Sequence, residues 1–164
     1  MSIGLKPSPL TRQAFSPFGN VVELDGATQF AINQGFAERF DDLAQIDVTA
    51  EGGTTKVSIF EAKPRPLPMS VDLMERHPLG SQLFYPLQDQ DWWLIVAEDV
   101  REPSSFRAFA ATGRQGVNYA RNVWHFPLLV SSAGDRFIVV DRKGPGNNLE
   151  EVHLAEAARP IFTP

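Results

Sequence analysis

Glu75 and His77 stand one residue apart in the run Met74-Glu75-Arg76-His77-Pro78, and His125 sits among apolar neighbours in Val123-Trp124-His125-Phe126. On an extended strand alternate residues share a face, so Glu75 and His77 address the same space. Pro78 and Gly80 then turn the chain, and Gln82 opens the next segment. An imidazole lodged among apolar side chains has its pKa lowered, which leaves it neutral near pH 7 as a base or a ligand. A carboxylate and an imidazole in one place can serve as acid and base. Each residue also has a bland reading: a turn histidine, a core histidine, a solvated glutamate, a glutamine at a strand start. His153, in Glu150-Glu151-Val152-His153, reads as an exposed strand residue and is set aside.

Arg39, Arg107 and Arg121 are candidates for an anionic ligand, because the guanidinium fork matches carboxylate geometry. Asn33, Asn118 and Asn122 offer both donors and acceptors. The chain has no cysteine, which excludes disulfides, thiolate metal sites and thiol nucleophiles. It contains no GxGxxG, P-loop or GxSxG element. A formal charge of −5 without any Lys/Arg run argues against nucleic acid.

The elements that must position these residues are mostly strands. Val57–Phe60, Leu83–Leu87, Trp92–Ala97, Phe106–Ala110, Val123–Val130 and Phe137–Val140 are short, aromatic and β-branched. Turn residues such as Gly52-Gly53, Gly113 and Gly134-Asp135 separate them. Ser8 and Pro9 predict a short helix over Leu10–Phe15, capped by Ser8. Phe36–Leu43 is read as one or two helical turns, and Glu156–Arg159 as a terminal turn. Without long helices between strands, the expectation is an antiparallel sandwich or barrel, built as one domain over residues 1–164. Trp92 and Trp93 point to opposite faces; one could line the interior and the other meet a second subunit. Met1–Gly19 lacks the basic and apolar stretches of a signal peptide, and Trp92–Ala97 is too short an apolar run to cross a bilayer. A cytoplasmic protein with no membrane partner is expected.

Glu75-x-His77 followed by Gln82 resembles the first cupin motif, with Glu for one His and Gln for the Glu. Asn122-Val123-Trp124-His125 resembles the second, with Asn122 in the glycine position and Ala120 in the proline position. More of the chain is similar to the ureidoglycolate lyases, also called ureidoglycolate hydrolases. The runs that carry this are Ala31-Ile32-Asn33-Gln34-Gly35, Glu38-Arg39-Phe40, Glu75 to Gln82, Arg107-Ala108-Phe109, Gly116 to His125, and Asp141-Arg142. The resemblance implies an all-β, mainly antiparallel, cupin-like double-stranded β-helix or jelly-roll barrel with one or two short helices, assembled as a homodimer. It implies cleavage of (S)-ureidoglycolate to glyoxylate and urea during allantoin degradation. It also implies a divalent metal, notably nickel, held by Glu75, His77, Gln82 and His125, with weak retention because Gln82 is a neutral ligand. His77, His125 and Glu75 are the expected catalytic residues. Arg39, Arg107 and Arg121 are expected on the substrate carboxylate, and Asn33, Asn118 and Asn122 on its ureido group. Two rival readings stay open: an amidohydrolase that releases ammonia from the same substrate, and a non-catalytic cupin that binds a small anionic metabolite.

Overall fold

The computed structural model describes residues 3–164. Two sheets face one another. The first runs Glu150–His153, Leu73–Arg76, Trp124–His125, Trp92–Ala97, Phe106–Ala111, Pro7–Pro9, with Leu129–Val130 also paired to Trp92–Ala97. The second runs Gly19–Val22, Gly116–Tyr119, Gln82–Pro86, Asp135–Lys143, Thr54–Ala62. Pairing within both is antiparallel, except where Pro7–Pro9 lies parallel to Ala108–Ala110. This is the expected all-β, mainly antiparallel fold, built as a sandwich with one short α-helix. Among the described residues the sheets keep open edges and do not close into a barrel.

Strand alternation builds the core. Trp92, Leu94 and Val96 face the second sheet, where they meet Phe84, Val117, Phe137 and Val139. The rings of Trp92 and Phe137 lie 4.9 Å apart, edge to face. Burial of each such side chain contributes about 1.5–3 kcal/mol. Ile95 and Ala97 face the other way, into a second cluster with Val71, Met74, Phe106 and Phe162. A small sheet of Gly4–Leu5, Ile161–Phe162 and Met69–Ser70 covers that side. Both faces of Trp92–Ala97 are therefore buried, which explains its unbroken apolar run. Trp93 packs on Phe162 of its own chain and is half-buried.

Three further expectations change. Ser8 lies in the strand Pro7–Pro9, and the helix is shorter, Arg12–Phe15, capped by Thr11, whose Oγ1 accepts from the Ala14 N–H at 3.2 Å. Phe36–Leu43 is not helical: Ala37–Asp41 pairs with Thr28–Ile32 as a hairpin around a 3₁₀ turn at Asn33–Gly35. Val123–Val130 is two short strands, Trp124–His125 and Leu129–Val130, because Pro127 cannot donate to a ladder.

Candidate active site

At one end of the sandwich the apolar interior gives way to two polar rungs. On the second sheet Tyr119 pairs with Gln82, and Asp141 pairs with Lys56. The pairing of Val140 with Leu83 brings Asp141 beside Gln82. Tyr119, Gln82, Asp141 and Lys56 thus form one row across four neighbouring strands. They share the face that further along carries Val117, Phe84 and Val139, because side chains alternate with period two. On the first sheet His125 pairs with Glu75. The rings of His125 and Tyr119 are stacked, with centroids 4.3 Å apart.

Two backbone carbonyls fix the histidines. The Nδ1–H of His77 donates to the Asn148 carbonyl at 2.8 Å, and that of His125 donates to the Val123 carbonyl at 2.9 Å. A carbonyl only accepts, so each Nδ1 carries a proton, and in the neutral ring Nε2 keeps its lone pair turned inward. The Asn148 side chain also accepts from the Leu79 N–H at 2.7 Å, which ties its loop to the turn after His77. Asn122 has a positive φ of 66° and donates its N–H to the His77 carbonyl at 3.0 Å. Asparagine tolerates that left-handed backbone better than most residues. Behind this turn lies the buried Arg142, whose guanidinium donates to the carbonyls of Ala50 and Pro145. Gly53 and Gly80 make room for it; a Cβ on Gly53 would come within 2.3 Å of its Nε.

Four electron pairs then face each other in two pairs. His77 Nε2 lies 3.1 Å from Gln82 Oε1, and His125 Nε2 lies 3.4 Å from Glu75 Oε1. The His125 Nε2 is buried without a hydrogen-bond partner. Ligating atoms of Glu75, His77 and His125 all fall within 4.8 Å of one another. Neutral imidazoles facing acceptor oxygens want a cation between them, and the donor set fits a divalent metal.

Burial alone would raise the Glu75 carboxyl, but contact with His125 and the positive charge that His125 and His77 can carry outweigh it. Glu75 stays below the usual carboxylate value. Burial lowers His77, and the neighbouring His125 lowers it further; the acceptors at Asn148, Glu75 and Gln82 oppose this without cancelling it. Burial, helped by the charge of Glu75, keeps the Tyr119 phenol protonated.

A cavity of about 680 Å³ opens beside the cluster, lined by Phe60, Lys63, Arg65, Glu75, Phe84 and Leu128 among others. Glu75 is the cluster member that lines it. The six expected substrate contacts do not. Arg39 pairs with Asp41 at 2.7 Å on the exposed hairpin, and Asn33 sits at the tip of that hairpin. Arg107 donates to the carbonyls of Ser104 and Phe106. Arg121 grips both oxygens of Asp47. Asn118 is buried against Asn20 and the Gln45 carbonyl, and Asn122 shapes the turn. Conversely, Tyr119, Asp141, Asn148, Lys63 and Arg65 surround the site without having been singled out. Asp141 and Tyr119 lie in the runs that carried the family resemblance, and only strand register reveals their place. His153 is exposed, as expected.

The ureidoglycolate lyase family model matches residues 2–160. A protein of Rhizobium meliloti (strain 1021) named ureidoglycolate lyase 1 is 56% identical over 158 residues, 96% of this chain and 93% of the relative. One of Burkholderia cepacia named ureidoglycolate lyase is 51% identical over 98% of this chain and 92% of its own. One of Pseudomonas syringae pv. syringae (strain B728a), named likewise, is 46% identical over 95% and 93%. A solved structure of oxalate decarboxylase is a remote neighbour, at a TM-score of 0.39 and 12% identity over 62% of this chain and 24% of that one.

Proposed function

The chain belongs to the ureidoglycolate lyase family, and from that premise we propose how its residues split ureidoglycolate into glyoxylate and urea. It is a carbon–nitrogen lyase. The observation that carries the site assignment is the Glu75, His77, Gln82 and His125 cluster, with Glu75 reaching the adjoining cavity.

The substrate's central carbon bears a hydroxyl, a carboxylate and a urea nitrogen. Glu75, held ionised by its histidine neighbours, takes the hydroxyl proton. The oxygen's electron pair becomes the second bond of the new carbonyl, the carbon–nitrogen bond breaks, and its pair goes to nitrogen. That nitrogen hangs from the same carbon, so the carboxyl of Glu75 can hand the proton to it and release urea. No covalent nucleophile is needed. A divalent ion, for which nickel is our choice, would be held by His77, Gln82, His125 and an oxygen of Glu75, and would polarise the hydroxyl. Lys63 and Arg65, lining the same cavity, supply positive charge for the carboxylate in place of Arg39, Arg107 and Arg121. The side chain of Arg65 is steadied over the Phe126 ring, 4.8 Å from its centroid.

The acting form is a cytoplasmic, one-domain homodimer. Support for association comes from the outer face of the second sheet, where Val57 and Ile59 are 68% and 63% exposed beside Ile138 and Val140. Phe36 on the hairpin is 90% exposed. Incubation of purified protein with ureidoglycolate, with products followed in time, tests the reaction. Urea and glyoxylate should rise together. Ammonia before urea would move the chain to an amidohydrolase, and binding without turnover would make it a metabolite sensor.

A further inference from the structure

Gln82 is a strange choice for a donor position, because an amide has a right end and a wrong end. Its oxygen can bind a cation, while its NH₂ group repels one. Something must choose between the ends, and the row of side chains on the second sheet contains a candidate. The Gln82 Nε2 donates to Asp141 Oδ2 at 3.5 Å, while Gln82 Oε1 faces His77. Asp141 is in turn flanked by Lys56, whose Nζ lies 3.4 Å from the other carboxylate oxygen, Oδ1.

We propose that Asp141 is a positioning residue: it fixes the Gln82 amide so that its carbonyl oxygen, and not its NH₂, is presented to the His77–His125 cluster. The reason is one of bonding capacity. A carboxylate accepts and never donates, so only the NH₂ end of Gln82 can satisfy it. That choice forces the oxygen toward the Nε2 of His77, a contact of two acceptors that a bound cation relieves. Gln82 is 6% exposed, so no solvent is at hand to satisfy a flipped amide. Lys56 lies at ion-pair distance from Oδ1 without a hydrogen bond to it, while Oδ2 faces the Gln82 amide. The role rests on the metal reading above and deepens it.

A double-mutant cycle separates orientation from simple charge. Nickel binding to chelator-treated protein is measured by calorimetry for wild type, Asp141→Asn, Gln82→Glu and the double variant. An asparagine can donate as well as accept, so Asp141→Asn frees the amide to turn. Affinity should fall about 10- to 100-fold, the usual cost of removing an outer partner of a ligand. A glutamate at 82 has oxygen at both ends and needs no orienting. In the Gln82→Glu background, Asp141→Asn should therefore cost much less. Loss of negative charge alone would cost the same in both backgrounds, since uncoupled effects add. Equal costs in the two backgrounds would overturn the proposal, as would Asp141→Asn binding nickel like wild type. Wild-type protein that takes up no divalent ion would overturn the metal reading, and this role with it. Thermal unfolding of each variant confirms that the sheet is intact.

Discussion

The ring of Tyr119 lies flat against that of His125, with centroids 4.3 Å apart and planes 12° from parallel. The hydrogen bond from Nδ1 to the Val123 carbonyl holds one edge of the imidazole, and the tyrosine holds its face. Together they aim Nε2 at Glu75. Tyr119→Phe keeps the ring, so it should keep the fold and most of the turnover. Tyr119→Ala removes a buried aromatic and should cost about 3–5 kcal/mol of stability, with turnover lost as His125 swings free. Thermal unfolding and steady-state rates report both. If Tyr119→Phe loses as much turnover as Tyr119→Ala, the phenol itself takes part in the reaction.

Glu75→Gln, His77→Ala and His125→Ala should each lower turnover by roughly 10²–10⁴, the range for loss of a positioned acid, base or ligand. His153→Ala, on an exposed strand position, should leave it unchanged. Rates of urea release by folded variants decide. Near-normal activity in any of the first three removes that residue from the mechanism.

In metal-free protein, acid should act in two steps. The folded pKa of His77 lies below its ordinary 6.5, so the fold prefers the neutral ring. That contribution is complete above the unfolded pKa and is lost as pH falls from about 6.5 toward the folded value. Glu75 is likewise held below its ordinary 4.5, so its contribution is present above that pH and drains away beneath it. Denaturant midpoints measured from pH 8 to pH 3 should fall in both windows. His77→Gln should remove the upper window and shrink the lower one, because the charge of His77 is among the influences that hold Glu75 down.

Chelator treatment should depress activity, and added nickel should restore it, with little metal in protein as purified. The neutral Gln82 stands where a charged ligand would hold the ion harder. Activity indifferent to chelator and to added ions, with no metal taken up alongside substrate, would return the reaction to Glu75, His77 and His125 as plain acids and bases.

Light scattering at micromolar concentration should give a dimer mass. Val57→Lys with Ile59→Lys places charge on the exposed apolar face and should yield a folded monomer. A variant that remains dimeric would locate the contact elsewhere, with the hairpin around Phe36 as the next surface to change.

The four members of the cluster were legible as residues because local spacing carries the signal. Glu75, His77 and Gln82 flank one proline–glycine turn, and His125 closes a second motif. Tyr119 and Asp141 were not legible as site residues. Their place depends on which strand lies beside which, as when Leu83 meets Val140, and no local pattern encodes that. The arginines were expected on the carboxylate from their chemistry alone, without sight of their folded neighbours. Arg39 and Arg121 carry the right chemistry for a carboxylate, but the folded chain supplies Asp41 and Asp47. Phe36 and Phe40, four residues apart, mimic helical spacing, whereas the segment is a hairpin strand with Phe36 turned to solvent.

The register that gathers the polar row also sets when the site comes into being. Thr54–Ala62 pairs with Asp135–Lys143, and Leu73–Arg76 pairs with Glu150–His153. These ladders close only after most of the chain has been synthesised, and such distant pairings form slowly because loop closure precedes any gain from contact. Glu75, His77 and Gln82 are neighbours in sequence, but His125 reaches them only through its pairing with Glu75, so the complete donor set does not form until those strands have paired. Metal should act as a late lock, not as a template. Nickel should slow unfolding while leaving the refolding rate unchanged, the pattern of a contact absent from the transition state.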